Sequence, residues 1–298
     1  MLNFNLSSIF YLIPLYFLVI APLLRQLFPS DPAFAPDSGY GSLYDDEDED
    51  TSIQLNPEVL SLDDGVPVTC DLGSDTYRLH IFAQKPLVIY IENFLSGPEA
   101  GHLVNISLPH YTPSTLYSDS THENSPNTTK RLSDRALLPR DAVVRCIESR
   151  ARAFQGWKPH LYIERMWTQR YNVSGHYTHH YDWAGTARGR GGDRLSTFMV
   201  YLAAECKGGG TNFPRLRRPR DKKWCEFVEC DGEEGNGEGG RNEGVTFKPI
   251  KGNAVFWENL RADGSGYAET WHAAVPVEEG EKVGMNIWSW YQPPRGRW

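Results

Sequence analysis

The chain has 298 residues, of which 40% are hydrophobic and 23% charged, which excludes wholesale disorder and a collagen-like repeat and leaves room for one large β domain or two smaller ones. Its net charge of −8 arises from two stretches, Asp45 to Asp50 with six acids and Glu226 to Glu243 with seven acids against Arg241 alone. The remainder, with 25 acids and 29 bases, is close to neutral, so nucleic acid is not expected as a partner.

Taken in chain order, Phe4 to Leu24 contains no charged residue and has about the length of a membrane span. A cleaved signal peptide is the alternative. Ala33-Phe34-Ala35 resembles a cleavage site, but it lies well past the apolar run, with Arg25 between. The expectation is therefore a signal anchor over 1–28 that contacts the membrane, followed by an acidic, flexible stalk over 29–76 that is rich in Pro, Ser, Asp and Glu. Sequons at Asn105, Asn127 and Asn172, and five cysteines (Cys70, Cys146, Cys206, Cys225, Cys230), suit an oxidising lumen with one thiol left free. Together these predict a glycoprotein of the endoplasmic reticulum membrane, single-pass with a luminal body, or else a secreted protein.

The body is expected over 77–298. Pro86 to Phe94 reads as a strand, and Ser96-Gly-Pro-Glu99 reads as a capping box that opens a helix through Ile106. A second helix follows Asp141, with Val143, Val144, Ile147, Ala151 and Phe154 on one face. Beyond Gln155 the pattern turns to short β runs: His160 to Val173, Ser196 to Ala204, Val245 to Lys248, Asn253 to Trp257, Trp271 to Val277 and Lys282 to Tyr291. The fold class is mainly β with flanking helices, a sandwich or jelly roll. Residues 215–242, basic and then acidic, read as a surface loop insertion that Cys225 and Cys230 could tie.

Candidate chemistry centres on His180-Tyr181-Asp182. Two residues apart on a strand, His180 and Asp182 share a face, which suits a metal needing one imidazole and one carboxylate on adjacent vertices. Such a triplet is common by chance, and a surface His beside an Asp is its ordinary explanation. Downstream, His272 opens a strand, and Lys282 follows past a Glu278-Glu279-Gly280 turn. Two His and one carboxylate form the facial triad of non-haem Fe(II) oxygenases, and a buried Lys is what the far end of a dicarboxylate cosubstrate needs.

In order along the chain stand Tyr171, Tyr177, His180-x-Asp182, Arg194, Gly209-Gly210-Thr211-x-Phe213-Pro214, Gly252-Asn-Ala-Val-Phe-Trp257, Asp263-Gly264, His272-Ala273, Lys282 and Trp288. On these residues the chain resembles the 2-oxoglutarate-dependent Fe(II) dioxygenases, and within them the prolyl 4-hydroxylase catalytic domain, over roughly Pro86 to Tyr291. The resemblance implies a double-stranded β-helix core. It also implies that His180, Asp182 and His272 bind iron, that Lys282, Tyr171 and Thr211 hold 2-oxoglutarate, and that Tyr177, Arg194 and Trp288 border the peptide substrate. His179, facing away from its neighbour, is left to solvent or to a supporting role.

Three departures are visible: Ala274 stands where the family often has Gly, the Gly before the metal motif comes one place late, at Gly175, and the Arg215 to Asn242 excursion lengthens the gap between Asp182 and His272. No separate peptide-binding domain of the animal collagen enzymes is recognised, so the likeness is to the short plant, algal and fungal type. The implied reaction couples oxidative decarboxylation of 2-oxoglutarate by O2 at Fe(II) to hydroxylation of a prolyl ring at carbon 4, with L-ascorbate rescuing oxidised iron. The alternatives are the same chemistry on a lysyl residue or a small cyclic amine, or a catalytically silent jelly-roll scaffold.

Overall fold

Period-two alternation divides the long strands between two interiors. In β2 (Leu87–Glu92), Ile89 and Ile91 point to one face and Val88 and Tyr90 to the other. The same division recurs in β11 (Asp193–Gly208), with Phe198 and Val200 against Met199 and Tyr201, and in β14 (Ala254–Glu258), with Phe256 against Val255 and Trp257. In β16 (Val277–Tyr291), Val283, Met285 and Ile287 take the first face, leaving Lys282 and Trp288 to the second. A computed structural model of the chain describes residues 55–70, 76–118, 123–125, 127–187, 191–230 and 244–294.

The remaining strands are β1 (Arg78–Gln84), β3 (Thr112–Pro113), β4 (Leu116–Ser118), β5 (Glu123–Ser125), β6 (Arg131–Leu132), β7 (Asp134–Leu137), β8 (Leu161–Ile163), β9 (Trp167–Tyr171), β10 (His176–His180), β12 (Thr211–Phe213), β13 (Val245–Phe247) and β15 (His272–Ala274). Among the described residues they form a nine-stranded antiparallel sheet, ordered β1-β2-β14-β11-β16-β9-β7-β3 with β8 against β16. A five-stranded sheet runs β13-β12-β15-β10-β6, and β4 pairs with β5. This is the expected mainly β jelly roll. Phe213, Val245 and Phe247 from the small sheet pack with Tyr90, Tyr201 and Trp257 from the large one, so one apolar core fills the space between the sheets.

The other face of the large sheet is covered by helices α1 (Gly97–Ser107) and α2 (Ala142–Phe154). Ser96 and Glu99 cap α1 reciprocally, and Asp141 caps α2 through the Val144 N–H, as the sequence predicts. Val144, Ile147 and Ala151 are buried against the sheet, and Val143 and Phe154 pack at its margin.

Four expectations need correction. Glu278-Glu279-Gly280 is no turn: β16 runs through it, with Gly280 at φ +77° opposite Cys206, because a glycine can take that conformation without breaking the ladder. The stalk expected to Thr76 ends earlier, since 55–70 is docked on the body. Leu60 bridges Glu164, Asp64 pairs with Arg145, and Cys70 is disulfide-bonded to Cys146. Nor is the described part of the 215–242 insertion, residues 215–230, a plain surface loop. Leu216, Phe227 and Val228 are buried in the core between the sheets, and Cys225 is bonded to Cys230. Finally, the metal motif is not wholly on a strand, because β10 ends at His180 and Asp182 lies just beyond it. The expected anchor over 1–28 and the stalk through residue 54 lie outside the described residues. Among the described residues, no helix is long and apolar enough to cross a membrane.

Candidate metal centre

Antiparallel pairing sets His180, the last residue of β10, directly across from His272, the first of β15. Asp182 follows in the chain segment leaving β10, and one ligand atom from each of the three lies within 4.8 Å of the others. His180 Nε2 is 3.6 Å from Asp182 Oδ1, and His272 Nε2 is 3.8 Å from Asp182 Oδ2. Each imidazole donates its Nδ1–H to a carbonyl two residues earlier, His180 to Thr178 and His272 to Thr270, both at 2.9 Å. A carbonyl can only accept, so the lone pair of each ring sits on Nε2, facing the cluster.

Electrostatics favour the ligating forms. Burial alone would raise Asp182, but the His272 and His180 imidazoles and the Arg194 guanidinium hold it well below the usual carboxylate range. His272 is pulled down to about 4, first by burial and then by its neighbour His180, and so stays neutral at ordinary pH. Asp182 is aimed by a relay: the Trp257 indole donates to Asn259, the Asn259 amide to Thr197, and the Thr197 hydroxyl to Asp182 Oδ2 at 2.8 Å. Phe213 stacks on His272 at 5.4 Å and Trp257 meets it edge-on at 4.8 Å, which walls the cluster with apolar rings. This donor set of two imidazoles and one carboxylate fits a divalent first-row metal with vertices to spare.

Beside it, on β16, Lys282 is completely buried. Its Nζ donates to the Gly209 carbonyl and lies 4.7 Å from the Tyr171 ring centre. Among the described residues no carboxylate pairs with it, and burial pulls it down to about 8. A buried ammonium with donors to spare fits the carboxylate of an anionic ligand. Gly209, at φ +69°, lets the backbone turn close under the lysine stem. Tyr171 stands opposite Lys282 in register, and Thr211 is buried with its hydroxyl 2.9 Å from that of Tyr201.

The expected substrate-facing residues meet at the rim. Tyr177 stacks on His180 with ring centres 3.7 Å apart. Trp288 is half-buried, and its indole Nε1 is buried without an acceptor. Arg194 lies 3.8 Å over the Trp288 ring, yet its Nε and Nη2 are committed to Glu164 and its Nη1 to the Asp182 carbonyl. The guanidinium therefore braces the site rather than reaching out to a peptide carbonyl. A bulge between Arg194 and Ser196 lets residues three apart, Arg194 and Thr197, both reach Asp182. His179 is exposed and bonded to Asn212. Gly175 serves the β9–β10 turn, where a Cβ would lie 2.7 Å from the Asn172 carbonyl.

Sequence reasoning passed over Glu164, Asn259, Arg131 and Ser133. Arg131 sits over the Tyr177 ring at 4.7 Å and bonds Ser133, and both lie beside the Tyr171 hydroxyl. A charged residue in the two-residue strand β6 carries no periodic signal by which to find it.

Residues 166–290, which span every one of these groups except Glu164, Arg131 and Ser133, match the 2OG-Fe(II) oxygenase superfamily. Over 222 residues the chain is 28% identical to Prolyl 4-hydroxylase 5 of Arabidopsis thaliana, covering 72% of each chain. It is likewise 28% identical over 212 residues to Prolyl 4-hydroxylase subunit alpha-1 of Rattus norvegicus, covering 68% of this chain but 34% of that one. Among solved structures, the viral collagen prolyl hydroxylase of Paramecium Bursaria Chlorella virus-1 superposes with a TM-score of 0.49 at 26% identity, covering 68% of this chain and 96% of that one.

Proposed function

We propose that this chain is a 2OG-Fe(II) oxygenase that hydroxylates peptidyl-proline at carbon 4. The observation that carries the reading is the meeting, in one inter-sheet space, of the His180, Asp182 and His272 cluster with the buried Lys282, which has no carboxylate partner among the described residues.

In this reading His180 and His272 hold Fe(II) through Nε2 and Asp182 through its carboxylate. Lys282 receives the distal carboxylate of 2-oxoglutarate, with Tyr171 and Thr211 lining its path. Iron, 2-oxoglutarate and O2 supply the oxidation, and ascorbate keeps the iron reduced. The protein's share is placement and exclusion of water. The Trp257, Asn259 and Thr197 relay fixes the carboxylate, and Phe213 and Trp257 keep the cluster dry. Tyr177 and Trp288 offer apolar walls to a prolyl ring. A Pro-rich segment arrives as a preformed polyproline II helix and loses little ordering entropy on docking.

The body is further assigned to the lumen of the endoplasmic reticulum, on an N-terminal single-pass anchor. Support comes from the uncharged run Phe4 to Leu24, from the Cys70–Cys146 and Cys225–Cys230 disulfides and from the exposure of all three sequon asparagines, Asn105, Asn127 and Asn172.

The test offers the purified protein a panel of Pro-containing peptides, lysyl peptides and free proline with Fe(II), 2-oxoglutarate and ascorbate, read by mass spectrometry. One oxygen gained on a prolyl ring of a Pro-rich peptide is the expected product. Oxygen on lysine, or free proline outcompeting every peptide, overturns the substrate assignment, and absence of Fe(II)-dependent succinate overturns the chemistry.

A further inference from the structure

The docked segment 55–70 lies outside the family match, yet it touches the residue on which the substrate wall depends. The Ser61 N–H donates to the Ile163 carbonyl at 2.8 Å, the Arg165 N–H to the Val59 carbonyl at 2.7 Å, and Leu60 bridges Glu164. On its other side the Glu164 N–H donates to the Trp288 carbonyl at 2.9 Å. Glu164 is thus held between the N-terminal segment and β16. Its buried carboxylate grips Arg194 at 2.6 and 2.8 Å, and Arg194 in turn covers the Trp288 ring and donates to the Asp182 carbonyl.

Two backbone hydrogen bonds and one buried side chain, Leu60, are too few to order the segment against the entropy it loses. Three further ties hold it to α2 and the turn before it. Arg140 donates to the Leu62 carbonyl at 2.7 Å, Arg145 makes a two-pronged pair with Asp64, and Cys70 is bonded to Cys146 across 76 residues of sequence. Cross-linking so long a loop restricts the alternatives in which the segment is free.

We infer that Val59, Leu60 and Ser61, latched by the Cys70–Cys146 disulfide, are positioning residues that fix the Glu164–Arg194–Trp288 wall for the peptide, an inference that rests on the proposed function above. They touch neither the metal cluster nor Lys282, so their effect falls on peptide use and not on the cosubstrate.

The full chain is compared with three variants: Cys70→Ser/Cys146→Ser, Ser61→Pro, which deletes the N–H given to Ile163, and Cys225→Ser/Cys230→Ser, which removes the other disulfide. The first two should raise the peptide KM about tenfold, the scale of one weakened charge-assisted contact, while the 2-oxoglutarate KM stays within about twofold. They should also shift the Trp288 indole N–H resonance, identified by its loss in Trp288→Phe. The third variant should change neither. A lowered melting temperature with peptide KM and indole resonance both unchanged would make the segment a structural staple only and overturn the inference. The resonance is read without turnover, so a wild-type protein that hydroxylates no prolyl peptide would defeat the proposed function while leaving the coupling of segment to Trp288 separately measurable.

Discussion

At the metal cluster, His180 and His272 each spend one nitrogen on a backbone carbonyl, and Asp182 spends one oxygen on Thr197. On β16, by contrast, Lys282 has a full charge, a single carbonyl acceptor and no carboxylate among the described residues. The first region is preset by the fold, whereas the second is left incomplete until an anion arrives. The metal side should therefore respond to substitution in an all-or-none way, and the lysine side in proportion to the ligand and proton it holds.

The largest expected effect comes from breaking the preset side. Asp182→Ala, or alanine at His180 or His272, should abolish succinate production and metal binding, while circular dichroism keeps its strand signature because the backbone pairing of β10 with β15 is untouched. A variant that keeps near wild-type turnover removes its residue from the ligand set. Next, Lys282→Met should raise the 2-oxoglutarate constant about 10²–10³-fold, the cost of leaving one partner of a buried pair alone, while iron binding persists. An unchanged constant would place the carboxylate elsewhere.

The smallest effect sharpens the contrast through pH. With Lys282 at about 8 in the ligand-free protein, only the protonated form attracts the carboxylate, so 2-oxoglutarate affinity should fall as pH rises through 8, by at most about tenfold per pH unit. Ligand-free stability should move the other way. Between about 8 and the ordinary value of 10.5 the unfolded chain holds a proton that the folded chain has lost, so stability rises with pH across that window. Calorimetric titration and thermal melts read the two trends, and Lys282→Met should flatten both.

Much of this architecture was legible because it rests on alternation. The apolar runs of β2, β14 and β16 and the capping signals at Ser96 and Asp141 announce their elements, and His180, Asp182, His272 and Lys282 are chemically unusual enough to be singled out. What escaped depends on contacts that leave no period. Glu164 and Arg131 look like ordinary surface charges until β16 and β10 are folded beside them. The 55–70 segment docks through backbone hydrogen bonds and a disulfide rather than an apolar stripe, so its composition reads as a linker. Glu278-Glu279-Gly280 has turn chemistry, but the ladder between β11 and β16 carries the chain straight through it. Arg194 stands beside Asp182, while its commitment to Glu164 depends on a partner 30 residues away in sequence.

The ladder between β11 and β16 also dictates an order of assembly. It joins Asp193 to Tyr291 at one end and Gly208 to Val277 at the other, so its pairing must wait until residues about 70 to 100 positions further along have been made. Lys282 and Trp288 ride on β16, and the Glu164 N–H has no acceptor until Trp288 is laid beside it. During synthesis from the N-terminus, the helices and the β1–β2 hairpin can form early from local contacts, but these long-range pairings form late and slowly. The nascent chain is thus expected to be inert towards cosubstrate and peptide until β16 has emerged and paired, and catalytic competence should appear with completion of that strand.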